Sequence, residues 1–237
     1  RTMKLLWDVL LVFALGGLLF GAGIAIGYAA SLFNATETPD PTRLVQQVQN
    51  ISSVSKISYS DGSIISDIDS DLIRIPVQKD AISDNVKKAV IATEDENFNS
   101  HNGVVPKAVI RATLGSVAGV GSSSGGSTLT QQLIKQQVVG DAPTFSRKAA
   151  EIIDALALER VMDKDEILTT YLNVSPFGRN NRGQNIAGVE AAAQGIFGVS
   201  AKDLTIPQAA FIAGLPQSPI VYSPYAVSYT HLRAHET

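Results

Sequence analysis

The sequence predicts a mostly α-helical body behind one N-terminal membrane-spanning helix, with a small β element between them. Three observations carry this. Residues 9–33 contain no charged side chain. Apolar residues recur at helical spacing from Ser83 to about Gly214. Only the intervening stretch, around Asp61-Gly62, alternates in the manner of strands about a tight turn. Composition fits: 237 residues, 45% hydrophobic, are enough to bury a core without a covalent staple. Cysteine is absent, which excludes a disulfide framework, a thiol nucleophile and a Cys-ligated metal site. The net charge of −3 argues against a nucleic-acid partner.

Taken in order, residues 1–8 read as a cytoplasmic stub and 9–33 as the span. Roughly 25 helical residues reach ~37 Å, more than the ~30 Å hydrocarbon core. The run is too long for the ~7–15-residue apolar region of a signal peptide, so a retained anchor is expected. Arg1 and Lys4 precede it, and Glu37 and Asp40 follow. The positive-inside bias then puts the N-terminus in the cytoplasm and the body outside. Residues 34–80 read as a linker, with a helix over Arg43–Val48, followed by a hairpin over Ile57–Ile65 and a strand over Leu72–Val77. Residues 81–225 form the expected domain. Val86, Ala89, Val90 and Thr93 mark its first helix, with Ser83 or Asp84 as cap. Further helices are expected over Pro106–Val117, Thr128–Val139, Thr144–Val161, Lys164–Asn173, Ile186–Ile196 and Pro207–Gly214. Asp163 and Glu166 have capping-box spacing. Residues 226–237 have no helical or strand logic and read as a non-native tail, left by truncation of a longer protein.

Several literal motif matches lack context. Gly121-Ser-Ser-Ser-Gly125 matches an esterase elbow, but the only later histidines, His231 and His235, lie in the tail. No Lys follows these glycines as in a phosphate-binding loop. Ser53-x-x-Lys56 and Ser83-Asp84-Asn85 match pieces of a transpeptidase signature, but Lys-Thr-Gly occurs nowhere.

Three stretches carry chemistry. Glu94-Asp95-Glu96 closes an apolar helix, where desolvation can prepare a carboxylate as a base. A solvated acidic cap is the plain alternative. In Gly125-Gly-Ser127-Thr128-Leu-Thr-Gln131-Gln132-Leu-Ile-Lys135, the side chains of Thr128, Gln131, Gln132 and Lys135 share one helical arc. Glycines at a helix start with a polar, cationic stripe suit an anion such as pyrophosphate, although an ordinary wet helix face shows the same pattern. In Arg147-Lys148-Ala-Ala-Glu151-Ile-Ile-Asp154, Arg147, Glu151 and Asp154 fall on one face. Arg147 and Glu151 are also spaced for a surface ion pair.

Together these stretches resemble the peptidoglycan glycosyltransferases of family 51. The resemblance runs from about Arg74 to Pro224. It is extended by Ile167-Leu168-x-x-Tyr171-Leu172-Asn173 with Phe177-Gly178, and by Ala209-Ala210-x-x-Ala213-Gly214-Leu215-Pro216-Gln217. Gln208 departs from the Glu usual in the family. The resemblance implies a lysozyme-like, α-rich fold and an inverting polymerisation of lipid II into β-1,4-linked glycan on undecaprenyl pyrophosphate. It implies Glu94 as the base for the acceptor 4-hydroxyl. Glu151 would sit by the leaving pyrophosphate, with Lys135 and Arg147 compensating its charge. Ser127, Thr128, Gln131, Gln132 and Lys148 join the substrate-binding set, and Asp95, Phe98 and His101 shape the first motif's loop. Residues 104–126 would form a membrane-dipping subdomain. No dedicated metal-ligand cluster is visible, though Mg or Mn assistance to the pyrophosphate is compatible. Expected partners are lipid II, the growing glycan, the bacterial cytoplasmic membrane and other cell-wall synthesis proteins. Competing readings are a lysozyme-like glycan-cleaving enzyme, which would have no use for Lys135 and Arg147, and a non-catalytic wall-binding protein, which would not need Glu94.

Overall fold

The computed structural model describes residues 2–51, 56–59, 64–67, 72–109, 111, 126–219 and 221–225. Helix α1 (Thr2–Ala35) overruns the expected span at both ends, and its Leu10–Ala35 portion is long and apolar enough to cross a bilayer. Its Tyr28 ring meets Phe145 edge-on, with centroids 6.5 Å apart. The expected linker holds helix α2 (Pro41–Gln49), which is longer than the predicted 43–48. Asp40 caps it by accepting the Thr42 N–H at 3.0 Å, and Pro41 supplies a first-turn residue whose missing N–H costs nothing there. Leu44 and Val48 are buried in the core, so this segment is part of the body rather than a spacer.

Strands β1 (Lys56–Ser58) and β2 (Ile64–Asp67) pair antiparallel, as the alternation predicts. The Asp61-Gly62 turn lies outside the described residues. The sheet that matters for the domain is a second one. Strand β3 (Leu72–Arg74) pairs parallel with β5 (Asn185–Ala187), which pairs antiparallel with β4 (Pro176–Arg179). This corrects the expected helix over Ile186–Ile196. The chain stays extended to Ala187, turns at Gly188 with φ +87°, and becomes helix α7 (Val189–Phe197) only then. A Cβ at Gly188 would lie 2.8 Å from the Asn173 carbonyl oxygen, so glycine permits both the turn and the contact. Asn173 also clamps the N-terminal part of the body. Its Oδ1 accepts the Val77 N–H and its Nδ2 donates to the Val77 carbonyl, both at 2.9 Å.

Helix α3 (Asp84–Glu94) begins at Ser83, whose hydroxyl accepts the Asn85 N–H, and packs along α8 (Ile206–Gly214). Ser83 N–H donates to the Ala201 carbonyl at 3.0 Å and Asn85 Nδ2 to that of Leu204 at 3.0 Å. At the start of α8, Gln208 accepts the Thr205 N–H at 3.0 Å. A glutamine completes this capping box as a glutamate would.

Helix α4 (Leu129–Ile134) lies against α5 (Phe145–Leu158) and α6 (Lys164–Val174), with Leu129, Leu133 and Ile134 fully buried. It does not run regularly to Val139 as expected. From Lys135 to Val139 the turns widen to π geometry, and Gly140 ends them at φ +72°. A π turn shifts the angular position of every later side chain. Lys135 is its first residue. Thr144 caps α5, and Asp163 with Glu166 forms the predicted box at α6. Residues 106–109 and 111 are helical; the rest of the expected 106–117 helix, most of the 104–126 segment and the 226–237 tail lie outside the described residues.

Candidate active site

Glu94 is the last residue of α3, and Asp95 leaves the helix in an extended conformation. The two adjacent carboxylates therefore point to different places. Glu94 lines an open cavity of about 530 Å³ whose wall also includes Lys107, Arg111, Gly126, Ser127 and Thr128. Its Oε2 accepts a hydrogen bond from Gln132 Nε2 at 2.9 Å. The other oxygen has no hydrogen-bond partner among the described residues.

Asp95 turns inward and holds the loop. Its carboxylate accepts the Leu129 N–H at 3.0 Å, the first N–H of α4. It also meets His101 Nε2 at 2.9 and 3.0 Å. Gly103 N–H donates to His101 Nδ1 at 3.1 Å, which fixes the ring as the Nε2–H tautomer. The imidazole is thus committed at both nitrogens to bracing Asp95 and Gly103. The Gly103 carbonyl in turn accepts the Thr128 hydroxyl at 2.6 Å. Phe98 is buried in the core, with Lys164 Nζ 4.4 Å above its ring, and does not line the cavity. Loop and helix start are one hydrogen-bonded unit.

The second constellation is built on α5. Glu151, only 1% exposed, receives Arg147 Nη1 on one oxygen and Lys148 Nζ on the other. Gln131 Nε2 adds a third donor at 3.3 Å. Two cations on one carboxylate leave one positive charge in excess, a setting that favours an incoming anion. Lys148 Nζ also donates to Ser127 Oγ at 2.9 Å. Because Ser127 lines the cavity that holds Glu94, this contact joins the cationic cluster to the Glu94 side of the region.

The structure therefore brings Glu94, Gln132, Ser127, Thr128, Gln131, Arg147, Lys148 and Glu151 into one connected region. It does not bring Lys135 to Glu151. Lys135 Nζ pairs with Asp141 at 2.8 Å, at the edge of the region. That hydrogen bond and the lysine's charge hold the Asp141 carboxyl below its usual range, with a further contribution from Arg147. The partner that joins Arg147 on Glu151 is Lys148, its sequence neighbour.

Lys107 and Arg111, one helical turn apart, were not singled out by the sequence. Both are exposed in the cavity wall, and neither has an ion-pair partner among the described residues. Their i, i+4 spacing before a glycine-rich stretch was the available signal. Tyr171 was seen only as part of a motif; its hydroxyl reaches Gln132 Oε1 at 3.1 Å. Among the described residues, no three His, Asp or Glu side chains are grouped to hold a metal ion.

A family model described as transglycosylase matches residues 61–236. Over 217 residues the chain is 36% identical to penicillin-binding protein 1A of Clostridium perfringens, covering 89% of this chain and 31% of that protein. It is 35% identical to penicillin-binding protein 1F of Bacillus subtilis (84% of this chain, 26% of the relative) and 35% identical to penicillin-binding protein 1A of Pseudomonas aeruginosa (94% and 26%). The chain thus spans between a quarter and a third of the length of these curated relatives.

Proposed function

Because this chain belongs to the transglycosylase family, we propose that its cavity polymerises lipid II into β-1,4-linked glycan by inverting transfer. Glu94 takes the proton from the acceptor 4-hydroxyl as the oxygen attacks the donor's anomeric carbon. The undecaprenyl pyrophosphate leaves from the opposite face, toward Arg147 and Lys148. The observation that supports this most is the pairing of a half-free carboxylate with an excess-cation cluster, joined through Ser127. An inverting transfer needs these two features: a base on the acceptor and stabilisation of a departing anion.

The division of labour follows from the partners of each acid. Glu94 has one oxygen held and one open to the cavity, so it can accept a proton. Glu151 has both oxygens taken by cations, so it orders those cations. Lys107 and Arg111 provide positive charge on the acceptor side, where the second lipid's pyrophosphate would rest. A Mg or Mn ion would enter with the pyrophosphate oxygens and add positive charge beside Arg147 and Lys148.

We place α1 across the bacterial cytoplasmic membrane with its N-terminus inside and the body outside, where a lipid-linked substrate is presented. The names and greater length of the relatives support membership of a longer penicillin-binding protein, which we take to be bifunctional and to work with other cell-wall synthesis proteins.

The test uses the full chain in detergent with labelled lipid II. Wild-type protein should give a lysozyme-sensitive glycan ladder, and Glu94→Gln should lower the rate at least ~100-fold, the scale of a lost general base. A wild type that instead shortens preformed glycan would be a hydrolase. Unchanged polymerisation by Glu94→Gln would remove Glu94 from the chemistry.

A further inference from the structure

We infer that Tyr171 is a positioning residue for Glu94, acting through the side-chain amide of Gln132. The inference rests on the reading of Glu94 as base, and it concerns a residue 77 positions later in the chain that does not line the cavity.

Gln132 lies between the two. Its Nε2 donates to Glu94 Oε2 at 2.9 Å and its Oε1 faces the Tyr171 hydroxyl at 3.1 Å. A glutamine amide is nearly symmetric in shape, so packing alone does not decide which end faces the acid. With oxygen toward Glu94 the contact would be repulsive and the carboxylate would swing free. Against Gln132 Oε1 the phenol can only donate, so its O–H selects the orientation that presents N–H to Glu94. The order of donation is therefore Tyr171, Gln132, Glu94.

The setting makes this chain effective. Tyr171 is 0% exposed, and Asn173 pins the same end of α6 to the Val77 backbone. Burial, then the nearby Glu94 charge, push the phenol well above its usual range, so it stays a donor at every working pH. Hydrogen bonds in a water-poor interior strengthen one another. One Glu94 oxygen is fixed and the other is aimed at substrate. Among the described residues, the other charged groups that border this cavity are Glu96 beside Glu94, Lys107 and Arg111 across it, and Asp95, whose carboxylate is committed to Leu129 and His101. They border the open space and do not set the carboxylate's angle.

Tyr171→Phe keeps the ring and removes the O–H. In the full chain, kcat for lipid II polymerisation should fall about tenfold with KM unchanged, because the substrate contacts remain. The acid limb of the pH–rate profile should move to higher pH, because the carboxylate loses a dependable donor. In a Gln132→Leu background, Tyr171→Phe should add nothing further, since both changes break one chain. A purely structural role would instead lower thermal stability, leave the acid limb in place and give additive losses. Should the Phe variant fail to fold, 3-fluorotyrosine at position 171 keeps packing and hydroxyl and donates more strongly; the limb should then move to lower pH, and an unmoved limb overturns the inference. Glu94→Gln separates the two levels. If it stays active, the base assignment falls and this inference with it. If it is inactive while Tyr171→Phe matches wild type in kcat and pH profile, only this inference falls.

Discussion

Asp154 lies one turn beyond Glu151 on α5 and is 8% exposed, but no cation reaches it among the described residues. Burial raises its carboxyl above the usual 3.8. The folded chain then holds a proton that the unfolded chain releases first. Stability from this group is greatest below the usual carboxylate range and falls as pH rises through the raised value. Asp154→Asn should therefore raise the melting temperature at neutral pH, with the gain vanishing in acid; thermal melts across that range check it. At this scale the sequence was legible where chemistry is local. Glu94 and Glu151 each stand inside a dense motif, and Arg147 and Lys148 lie within one turn of the acid they serve. Gln132 was read only as lining the groove, since its partners lie 38 and 39 residues away. Phe98 shares a motif with the acids yet is a core residue. Lys135 keeps its α-helical bond to the Gln131 carbonyl and is held by Asp141 at the edge of the region.

Elements were legible where their ends carry a chemical signal. Thr144 opens α5 and Asp163 with Glu166 opens α6, whereas the Asp40-Pro41 start of α2 went unread and that helix was expected only from Arg43. They were less legible where tertiary contacts decide. The π turn after Ile134 has no residue signature, and Ile186-Ala187 suits a helix or a strand until Gly188 turns the chain. The loop from Asp95 to Gly103 shows the same tertiary control. Gly103 has φ +87°, and a Cβ there would lie 2.6 Å from the Ala155 carbonyl oxygen on α5. Gly103→Ala combines left-handed strain with a backbone clash, and should destabilise by about 3 kcal/mol. Because Gly103 joins His101 to Thr128, catalysis should fall as well. Denaturant unfolding and a ladder assay on the same preparation check both.

On the scale of the whole molecule, α1 and the body meet through Tyr28 and Phe145, and the sheet and clamps tie residues 72–85 to 173–204. The overall class and the single apolar span were legible from composition and period alone. The second sheet was not, because β3 lies far in sequence from the β4–β5 pair it joins. Removing residues 1–35 takes away the apolar span but leaves the core set, so the shortened chain should polymerise lipid II in detergent while binding phospholipid vesicles at least ~10-fold more weakly. Vesicle flotation and the detergent assay, run side by side, check this.

The Val77–Asn173 clamp and the parallel β3–β5 pair also determine when the protein can become itself. Ribosomes deliver the early strand long before its mates, and contacts that far apart in sequence close slowly. A nascent chain can seat α1 in the bilayer early, but β3 must wait for Asn185 to emerge, and Ser83 and Asn85 for Ala201 and Leu204. The cavity beside Glu94 is thus completed late in synthesis, long after the apolar helix has emerged.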